Sequence, residues 1–322
     1  MKCIHCSSTK FNLRFHSYSF DDASEVFDIV ECDTCHLARV EPFPDLGQLH
    51  RYYANDYYGS QSTSKFTGPV ESLVRLGNKL RARAILKYLE TDRGKSAPIL
   101  DVGCGRGEFL KELSRQGMNC WGTDIADFKQ LESTPGIRFF QGPLTSAPFE
   151  AASFEAVSIW HVLEHTPDAT QVLSQIKKIL KPGGVLAIAV PHFESFQSKL
   201  FRGHWFHLDL PRHLFHFSKK TLLELLKERD LEILKVSTQS WEQNLYGFVQ
   251  SSLNVLMGNR YPNHLYSLLK SGNPTLSQSK RLVYLVAYLP LVLILIVFGI
   301  LENLFSISLG RGATLIVYAR NS

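Results

Sequence analysis

The 322-residue sequence has no dense cluster of basic residues, no internal repeat and no low-complexity segment. Its formal net charge is only +5, and residues 1–60 carry 5 Lys and Arg against 9 Asp and Glu. Because nucleic-acid-binding proteins concentrate basic side chains on one surface, we expect no nucleic-acid partner. Hydrophobic residues make up 44% and charged residues 20%, which excludes a disordered chain and a coiled coil.

A signal peptide is also lacking, because the N-terminal sequence MKCIHCSSTKF has no apolar core. We therefore expect a cytoplasmic protein. Four of the six cysteines form two Cys-x-x-Cys pairs, Cys3 with Cys6 and Cys32 with Cys35. In a reducing compartment such pairs predict metal ligands rather than disulfides. Four thiolates would fill the tetrahedral shell of one Zn²⁺, so the predicted zinc is structural; redox or incidental cysteines are the alternative.

Residues 98–240 alternate short β-rich runs with helical patterns, which predicts an α/β fold with a parallel sheet. A leader helix of about 20 residues is predicted from Pro69 by its leucine spacing, after the tyrosines Tyr52, Tyr53, Tyr57 and Tyr58. The predicted strands lie near Pro98–Val102, Cys120–Thr123, Arg138–Phe140, Phe154–Trp160, Val185–Val190, Glu232–Ser237 and Ala313–Ala319.

The sharpest pattern is the sequence ILDVGCGRGEFL. A β-branched run ends at Asp101, and Gly103, Gly105 and Gly107 then turn the chain into a helix. Glycine permits positive φ and a close approach to a ligand, and the helix N-terminus supplies N–H donors. Asp124 ends the next predicted strand, 23 residues after Asp101, where a carboxylate can accept hydrogen bonds from ribose hydroxyls. The pattern therefore predicts a nucleoside site.

The third glycine of a dinucleotide fingerprint would fall at position 108, which is Glu108 here. The chain instead resembles the class I S-adenosylmethionine-dependent methyltransferases. FEAVSIWHVLEHTPD (154–168) is similar to the family's fourth strand, and KKILKPGGVLAIAVP (177–191) to its helix, Pro-Gly-Gly turn and fifth strand. GATLIVYAR (312–320) is similar to its antiparallel last strand. The resemblance implies a Rossmann-like, doubly wound, seven-stranded sheet.

The resemblance also implies S-adenosylmethionine as the cofactor. In that family the acid and glycine loop hold the methionine part, and the acid after the second strand holds the ribose. An acid after the third strand usually contacts the adenine, but here Leu144 stands in that stretch, so we expect its backbone to make the contact. The implied cofactor-binding residues are Asp101, Gly103, Cys104, Gly105, Gly107, Asp124, Ile125 and Leu144.

The stretch from Cys32 to Tyr58 resembles the leader of a bacterial methyltransferase subgroup with an N-terminal zinc ribbon. Sugar C-methyltransferases acting on nucleotide-linked sugars belong to the same broad group, in which the leader helps close the acceptor pocket. The resemblance therefore implies that this part of the chain lies beside the acceptor.

Seven of the 12 histidines lie between residues 161 and 216. Methyl transfer can depend mostly on proximity and orientation, and a general base is needed only if the acceptor must lose a proton. Histidine is the usual base near neutral pH. We predict His161, after the fourth strand, or His213 in this role; for each, a structural histidine is the alternative.

Leu282–Leu301 carries no charge over 20 residues, enough at ~1.5 Å per residue to cross a bilayer core. Because the last strand must return to the sheet, we expect a re-entrant or interfacial membrane segment, broken into halves at Pro290. Lys280 and Arg281 would lie at the headgroups, and residues 191–322 carry 14 Lys and Arg against 8 Asp and Glu. The alternatives are a protein-buried hairpin, including one that forms a dimer contact, and a true span.

The predicted domains are a zinc ribbon (1–45), a linker with the leader helix (46–97), the methyltransferase core (98–240), a helical membrane-contacting insertion (241–309) and the last core strand (310–322). The predicted activity is methyl transfer to a small-molecule or lipid-linked acceptor. A non-catalytic S-adenosylmethionine-binding membrane scaffold and an RNA methyltransferase are the alternatives.

Overall fold

The computed structural model describes residues 2–20, 22–54, 69–89, 98–258, 262–269 and 278–322, so Tyr57 and Tyr58 of the leader lie outside the described residues. Internal contacts divide the chain into two compact units. The first, which we call the ribbon unit, comprises Met1–Leu73, Pro191–Ser218 and Thr238–Thr314. The second, the core unit, comprises Val74–Val190, Lys219–Ser237 and Leu315–Ser322.

Strands and helices are numbered along the described part of the chain. The strands are β1 Phe11–Tyr18, β2 Val26–Cys32, β3 Ala38–Glu41, β4 Pro98–Val102, β5 Asn119–Asp124, β6 Ile137–Gln141, β7 Phe154–Trp160, β8 Leu180–Pro191, β9 Phe215–His216, β10 Leu231–Ser237 and β11 Thr314–Asn321. The helices are α1 Leu46–Ala54, α2 Pro69–Leu86, α3 Glu108–Arg115, α4 Ala169–Ile179, α5 Phe196–Phe201, α6 Lys219–Lys227, α7 Trp241–Met257, α8 His264–Leu269 and α9 Gln278–Ser308.

The core unit is built on a seven-stranded sheet in the order β6-β5-β4-β7-β8-β11-β10. The pairs β4–β5, β4–β7, β5–β6 and β7–β8 are parallel, whereas β11 runs antiparallel to β10. The predicted Rossmann-like sheet with an antiparallel last strand is therefore confirmed. Because the strand order reverses beside β4, the carboxyl ends of β4 and β7 meet at a switch point, where α/β folds bind ligands.

The central strands are covered on both faces, which explains why they read as nearly continuous apolar runs. Leu100 in β4, Ile159 in β7 and Ile188 in β8 have no exposed surface. Helix α3 turns Leu110 and Leu113 toward this core, and both are fully buried. The helix that follows the glycines is thus held against the sheet by its apolar face.

The ribbon unit contains a second sheet in the order β1-β2-β3-β9. Strand β9 belongs to residues 191–218, which follow β8 of the central sheet. It nevertheless pairs with β3 of the second sheet, Phe215 with Arg39 and His216 with Ala38. The amide of Val40 also donates to the carbonyl of Leu214, at 3.1 Å. This strand pairing is the reason why 191–218 joins the ribbon unit, although the predicted boundaries put it inside 98–240.

The apolar run predicted at Leu282–Leu301 lies within one continuous helix, α9, so the predicted break at Pro290 is wrong. A proline removes one helical N–H and crowds the carbonyl four residues earlier, here that of Val286. Turns on both sides of Pro290 pack on α7 and α8 through Leu285 and Leu295, and this packing keeps the helix continuous.

Candidate functional site

The loop between β4 and α3 has the left-handed backbone that its glycines predict. The φ angles are +69° at Gly103, +51° at Gly105 and +69° at Gly107. A Cβ on Gly103 would lie 2.3 Å from Val162 Cγ2, and one on Gly107 would lie 2.5 Å from Leu131 Cδ2. A Cβ on Gly105 would meet no described atom within 4 Å. The loop is thus closely packed at both ends and open in its middle.

Asp124, the last residue of β5, is bonded to this loop. Its Oδ2 accepts the amide N–H of Gly105 at 2.9 Å, and its Oδ1 accepts that of Ala126 at 3.0 Å. Charge-assisted bonds of this kind are stronger than neutral ones. The side chain is 6% exposed, so its carboxylate has one fixed orientation beside the open part of the loop.

Asp101, at the other side of the loop, is 3% exposed and forms an ion pair with Arg81 of α2. The Arg81 guanidinium also donates to Ser158 Oγ and lies over the rings of Phe109 and Trp160, at 3.8 and 4.7 Å from their centroids. Burial raises the pKa of Asp101, and the charge of Arg81 opposes that rise. A cation and a carboxylate therefore lie together at the start of the glycine loop.

The remaining predicted cofactor residues, Cys104, Ile125 and Leu144, differ in their exposure. The amide of Cys104 donates to the carbonyl of Thr123, at 3.0 Å, and burial raises the pKa of its thiol, which suits a packing role. Ile125 directly follows Asp124 and is 54% exposed, so it can cover an apolar ligand surface. Leu144 is buried at the start of a 3₁₀ turn, Leu144–Ser146, after β6.

His161 follows β7 and belongs to the core unit. Its φ is +54°, uncommon for a residue with a side chain, and its amide donates to the carbonyl of Ala189 at 2.9 Å. Its Nδ1 lies 3.4 Å from Oε1 of Glu164, a carboxylate with 1% of its side chain exposed. Since Val162 packs on Gly103, His161 is next to a residue that contacts the glycine loop.

His213 belongs to the ribbon unit and is buried. Its Nδ1 lies 2.8 Å from the carbonyl of His207, which requires that Nδ1 carry the proton, and its amide donates to the carbonyl of Asp209 at 3.0 Å. Nε2 lies 3.9 Å from Asp209 Oδ2. Hydrogen bonding to the backbone is what a structural histidine does, and it also fixes the tautomer in which Nε2 is basic.

The four N-terminal cysteines come together in the ribbon unit. Sγ of Cys3 lies 3.5 Å from that of Cys35, and Sγ of Cys6 lies 3.4 Å from that of Cys32. All four sulfurs lie within 4.8 Å of one another, as a tetrahedral metal site requires. The two Cys-x-x-Cys turns also share one backbone shape.

In each turn the fourth residue after the first cysteine has a φ of +61°, at Ser7 and at His36. Its amide donates to the carbonyl of that cysteine, at 3.0 Å for Cys3 and 3.1 Å for Cys32. Two matching turns, one before β1 and one between β2 and β3, thus direct two thiols each toward a common centre.

Residues 75–236, just over half of the chain, match a protein family described as a methyltransferase domain. The chain belongs to this methyltransferase family. The matched range contains the glycine loop, Asp124 and His161, and it lies mostly in the core unit. The methyltransferase segment therefore coincides with the sheet that carries the site.

This methyltransferase is 36% identical over 107 residues to the demethylmenaquinone methyltransferase of Lactococcus lactis subsp. lactis (strain IL1403), covering 29% of this chain and 42% of the relative. It is 32% identical over 130 residues to the ubiquinone biosynthesis O-methyltransferase of Xanthomonas axonopodis pv. citri (strain 306), covering 38% and 53%. The chain thus spans about half the length of these curated relatives.

The fold is similar to that of a Galdieria sulphuraria protein provisionally named a sarcosine dimethylglycine methyltransferase. The two structures superpose with a TM-score of 0.50 at 17% sequence identity, covering 85% of this chain and 98% of the other. At that identity the likeness shows a shared fold.

Sequence reasoning missed two residues of this arrangement, Arg81 and Glu164. Nothing in α2 distinguishes Arg81 from the other basic residues of that helix, because its partner Asp101 lies 20 residues further on. Glu164 could have been found from its spacing of three residues from His161, directly after a strand.

Proposed function

We propose that this protein transfers a methyl group from S-adenosylmethionine to a small-molecule acceptor and releases S-adenosylhomocysteine. The observation that carries the proposal is the left-handed glycine loop, with buried Asp101 before it and Asp124 bonded to Gly105. Membership of the methyltransferase family supports the same reaction.

The residues present fit this cofactor. The open cradle at Gly105 would admit its amino-acid end, where Arg81 and Asp101 offer opposite charges for a carboxylate and an ammonium group. Asp124 would accept hydrogen bonds from the ribose, and exposed Ile125 would cover the adenine. When bound, the cofactor supplies an electrophilic methyl group on a positively charged sulfur. The protein's own contribution is then chiefly to position the acceptor in line with that bond.

An acceptor that must lose a proton needs a base, and His161 and His213 are the candidates. The position of Val162 against the glycine loop favours His161. Glu164 would orient the imidazole, because its Oε1 lies 3.4 Å from Nδ1. Alanine at each position, assayed with the true acceptor, tests this role, and unchanged turnover in both variants would remove it.

For the acceptor we propose an amphipathic or lipid-linked molecule, such as a quinone-like ring or a polyprenyl-linked glycan, presented on the cytoplasmic side of a membrane. The apolar helix α9 supports this class, since it gives the protein a surface suited to lipid. The names of two relatives, which refer to demethylmenaquinone and to ubiquinone biosynthesis, agree with a small-molecule acceptor.

The deciding experiment incubates the purified full chain with methyl-labelled S-adenosylmethionine and with membranes or soluble extract. We expect label in the lipid extract of the membranes, and about tenfold weaker cofactor binding by Asp124→Asn in calorimetry. Asp127→Asn, at an exposed neighbouring carboxylate, is the matched control. Binding without transfer to either fraction would support the non-catalytic scaffold instead, and binding of NAD but not of S-adenosylmethionine would overturn the cofactor.

We also propose that Cys3, Cys6, Cys32 and Cys35 hold a structural Zn²⁺. The two matching turns and the clustering of the four thiols support this assignment. Metal binding can supply folding free energy to a small sheet such as β1–β3. With four protein ligands the ion would keep no position for a substrate, so no step of the reaction passes through it.

Metal analysis of the purified chain tests the zinc proposal directly. We expect one zinc per chain in the wild type and loss of the metal in Cys32→Ser, with earlier thermal melting. Cys120→Ser, at a buried cysteine of β5 outside the cluster, should keep its zinc. A metal-free wild type, or four cysteines that titrate as free thiols in the folded protein, would contradict the proposal.

A further inference from the structure

Helix α9 exposes large apolar side chains along its whole length. Only 6% of its most apolar 18-residue window is buried, so α9 is not a core helix of a water-soluble unit. Monomeric soluble proteins rarely expose a continuous apolar patch of more than a few hundred Å². The exposed side chains are Leu282, Val283, Tyr284, Val286, Leu289, Leu293, Ile294, Val297, Phe298, Ile300, Leu301, Leu304 and Phe305, which we call the apolar arc.

The width of the apolar arc indicates what covers it. At 3.6 residues per turn these side chains extend over about 220° of the helix circumference, from Leu289 through Val297 to Tyr284. A partner helix covers a stripe of roughly 100°, so a second copy docking through one helix would leave more than half of the arc in water. Lipid acyl chains can cover the full width of the arc, because they surround whatever part of a helix enters the bilayer.

The opposite side of α9 is attached to the ribbon unit. Leu285, Val292 and Leu295 pack on the buried cluster of Val249 and Leu253. Two polar residues near the end of α9 also bond to this unit: Gln197 Nε2 donates to Glu302 Oε2 at 2.8 Å, and Asn244 Nδ2 donates to Asn303 Oδ1 at 2.9 Å.

These buried hydrogen bonds hold the last turns of α9 against the protein. The helix is therefore not free to cross a bilayer alone, and one side of it remains available to lipid.

The charges of α9 favour an anionic surface. Its charged residues are Lys280, Arg281 and Glu302, and of these the acid is buried while both bases lie in the first turn. Arg311, exposed, follows the other end of the helix. Tyr284, in the second turn, is a residue type typical of the membrane–water interface. The apolar arc thus carries no acidic group and has basic residues at both ends.

We propose that the apolar arc of α9 docks this protein on an anionic lipid bilayer, with the arc among the acyl chains of one leaflet and Lys280 and Arg281 at the headgroups. The inference deepens the membrane association proposed above and is independent of methyl transfer. Docking can therefore be measured whether or not an acceptor is known.

The test is flotation of the full chain with vesicles of phosphatidylcholine containing phosphatidylglycerol. We expect the wild type to float, and the double variant Leu293→Glu, Val297→Glu to partition at least tenfold less, because charges in the acyl region are strongly unfavourable. Both side chains are more than half exposed, so the fold should tolerate the changes. Val26→Glu, at a 63% exposed valine of β2, is the matched control and should float like the wild type.

A second variant, Lys280→Gln with Arg281→Gln, tests the lipid class. Each lost charge should weaken binding to the anionic vesicles about fivefold and leave binding to pure phosphatidylcholine unchanged. A wild type that stays at the bottom of the gradient, or a double Glu variant that floats equally well, would overturn the proposal. So would a wild-type dimer that binds no vesicles and becomes a monomer on Leu293→Glu, since a second copy would then cover the arc.

Discussion

The core unit and the α7–α9 region of the ribbon unit distribute apolar and polar residues in opposite ways. Most fully buried residues of the core unit are apolar, such as Leu100, Val157 and Leu186 in its strands. In the ribbon unit helix α7 buries amides, with Asn244 and Gln250 fully buried, whereas its neighbour α9 exposes leucine, valine and phenylalanine. The core unit thus has the pattern of a protein folded in water, and the α7–α9 region has the reverse pattern.

The difference shows how each region is held together. The hydrophobic effect is non-directional, so buried apolar side chains of the core-unit sheet can shift slightly without breaking a specific bond. Buried amides must each find a partner, so the helical region is held by directional bonds. We therefore expect the largest losses of stability from substitutions at positions where the surrounding atoms cannot move or where a buried hydrogen bond cannot be replaced.

The largest effect is expected in the core unit, from Gly103→Ala. The new Cβ would lie 2.3 Å from Val162 Cγ2, at a φ of +69°. Overpacking and left-handed strain should together lower the free energy of unfolding by about 3–4 kcal/mol. Gly105→Ala is the control, because its Cβ meets no described atom within 4 Å and should lower that free energy by about 1–2 kcal/mol.

Denaturant titration measures both stabilities, and calorimetry measures cofactor binding. Gly105→Ala should lower the free energy of cofactor binding by more than it lowers the free energy of unfolding. The reason is that its methyl group enters the proposed cofactor site. Equal stability losses in the two variants would show that the loop is not packed as described.

The next effect is expected in the ribbon unit, from Asn244→Ala. Asn244 Nδ2 donates to the carbonyl of Thr238 at 3.0 Å, and its Oδ1 accepts the amide of Thr314 at 3.0 Å. Alanine would leave these buried groups unpaired, which should lower the free energy of unfolding by about 2–3 kcal/mol. Gln243→Ala, at the preceding half-buried residue, should change it by less than about 0.5 kcal/mol. If Asn244→Ala left the free energy of unfolding unchanged, the buried amides would not hold the helical region together.

The smallest effect compares one tyrosine from each unit at alkaline pH. Burial raises the pKa of Tyr18 in the ribbon unit and of Tyr318 in the core unit, each to about 12 from an ordinary value of 10. Because both folded-state pKa values are raised, the stability linked to these two tyrosines is fully present below pH 10. It is lost as the pH rises toward 12. At pH 11 each tyrosine should account for a loss of about 1.4 kcal/mol.

Denaturant titrations at pH 9 and pH 11 measure this loss. Tyr18→Phe and Tyr318→Phe should each flatten the pH dependence by the same amount, although Tyr18→Phe also loses a 2.8 Å bond to His204 Nδ1 at both pH values. A loss confined to one variant would mean that only one of the two rings stays buried in solution.

Much of the core unit could be predicted because its signals are local. Alternating apolar runs and glycines required at positive φ located β4, β5, β7 and the loop to within a few residues. Cysteine spacing likewise predicted a cluster of four thiols, because two short turns can bring them together across any loop. The continuity of α9 through Pro290 was missed, because the local effect of a proline is outweighed by packing on α7 and α8 that the sequence does not display.

By itself the sequence determined which chemistry is present: an acid and glycines after a strand, paired cysteines, and a long uncharged run. Local backbone geometry and side-chain period are properties of neighbouring residues, so they can be read without a fold. Only the tertiary structure decided the partners of these groups, such as Arg81 on Asp101, Glu164 beside His161, and β9 on β3. These residues meet because the whole chain folds to its lowest free energy. That free energy depends on contacts throughout the fold, so a local sequence pattern cannot predict the pairs.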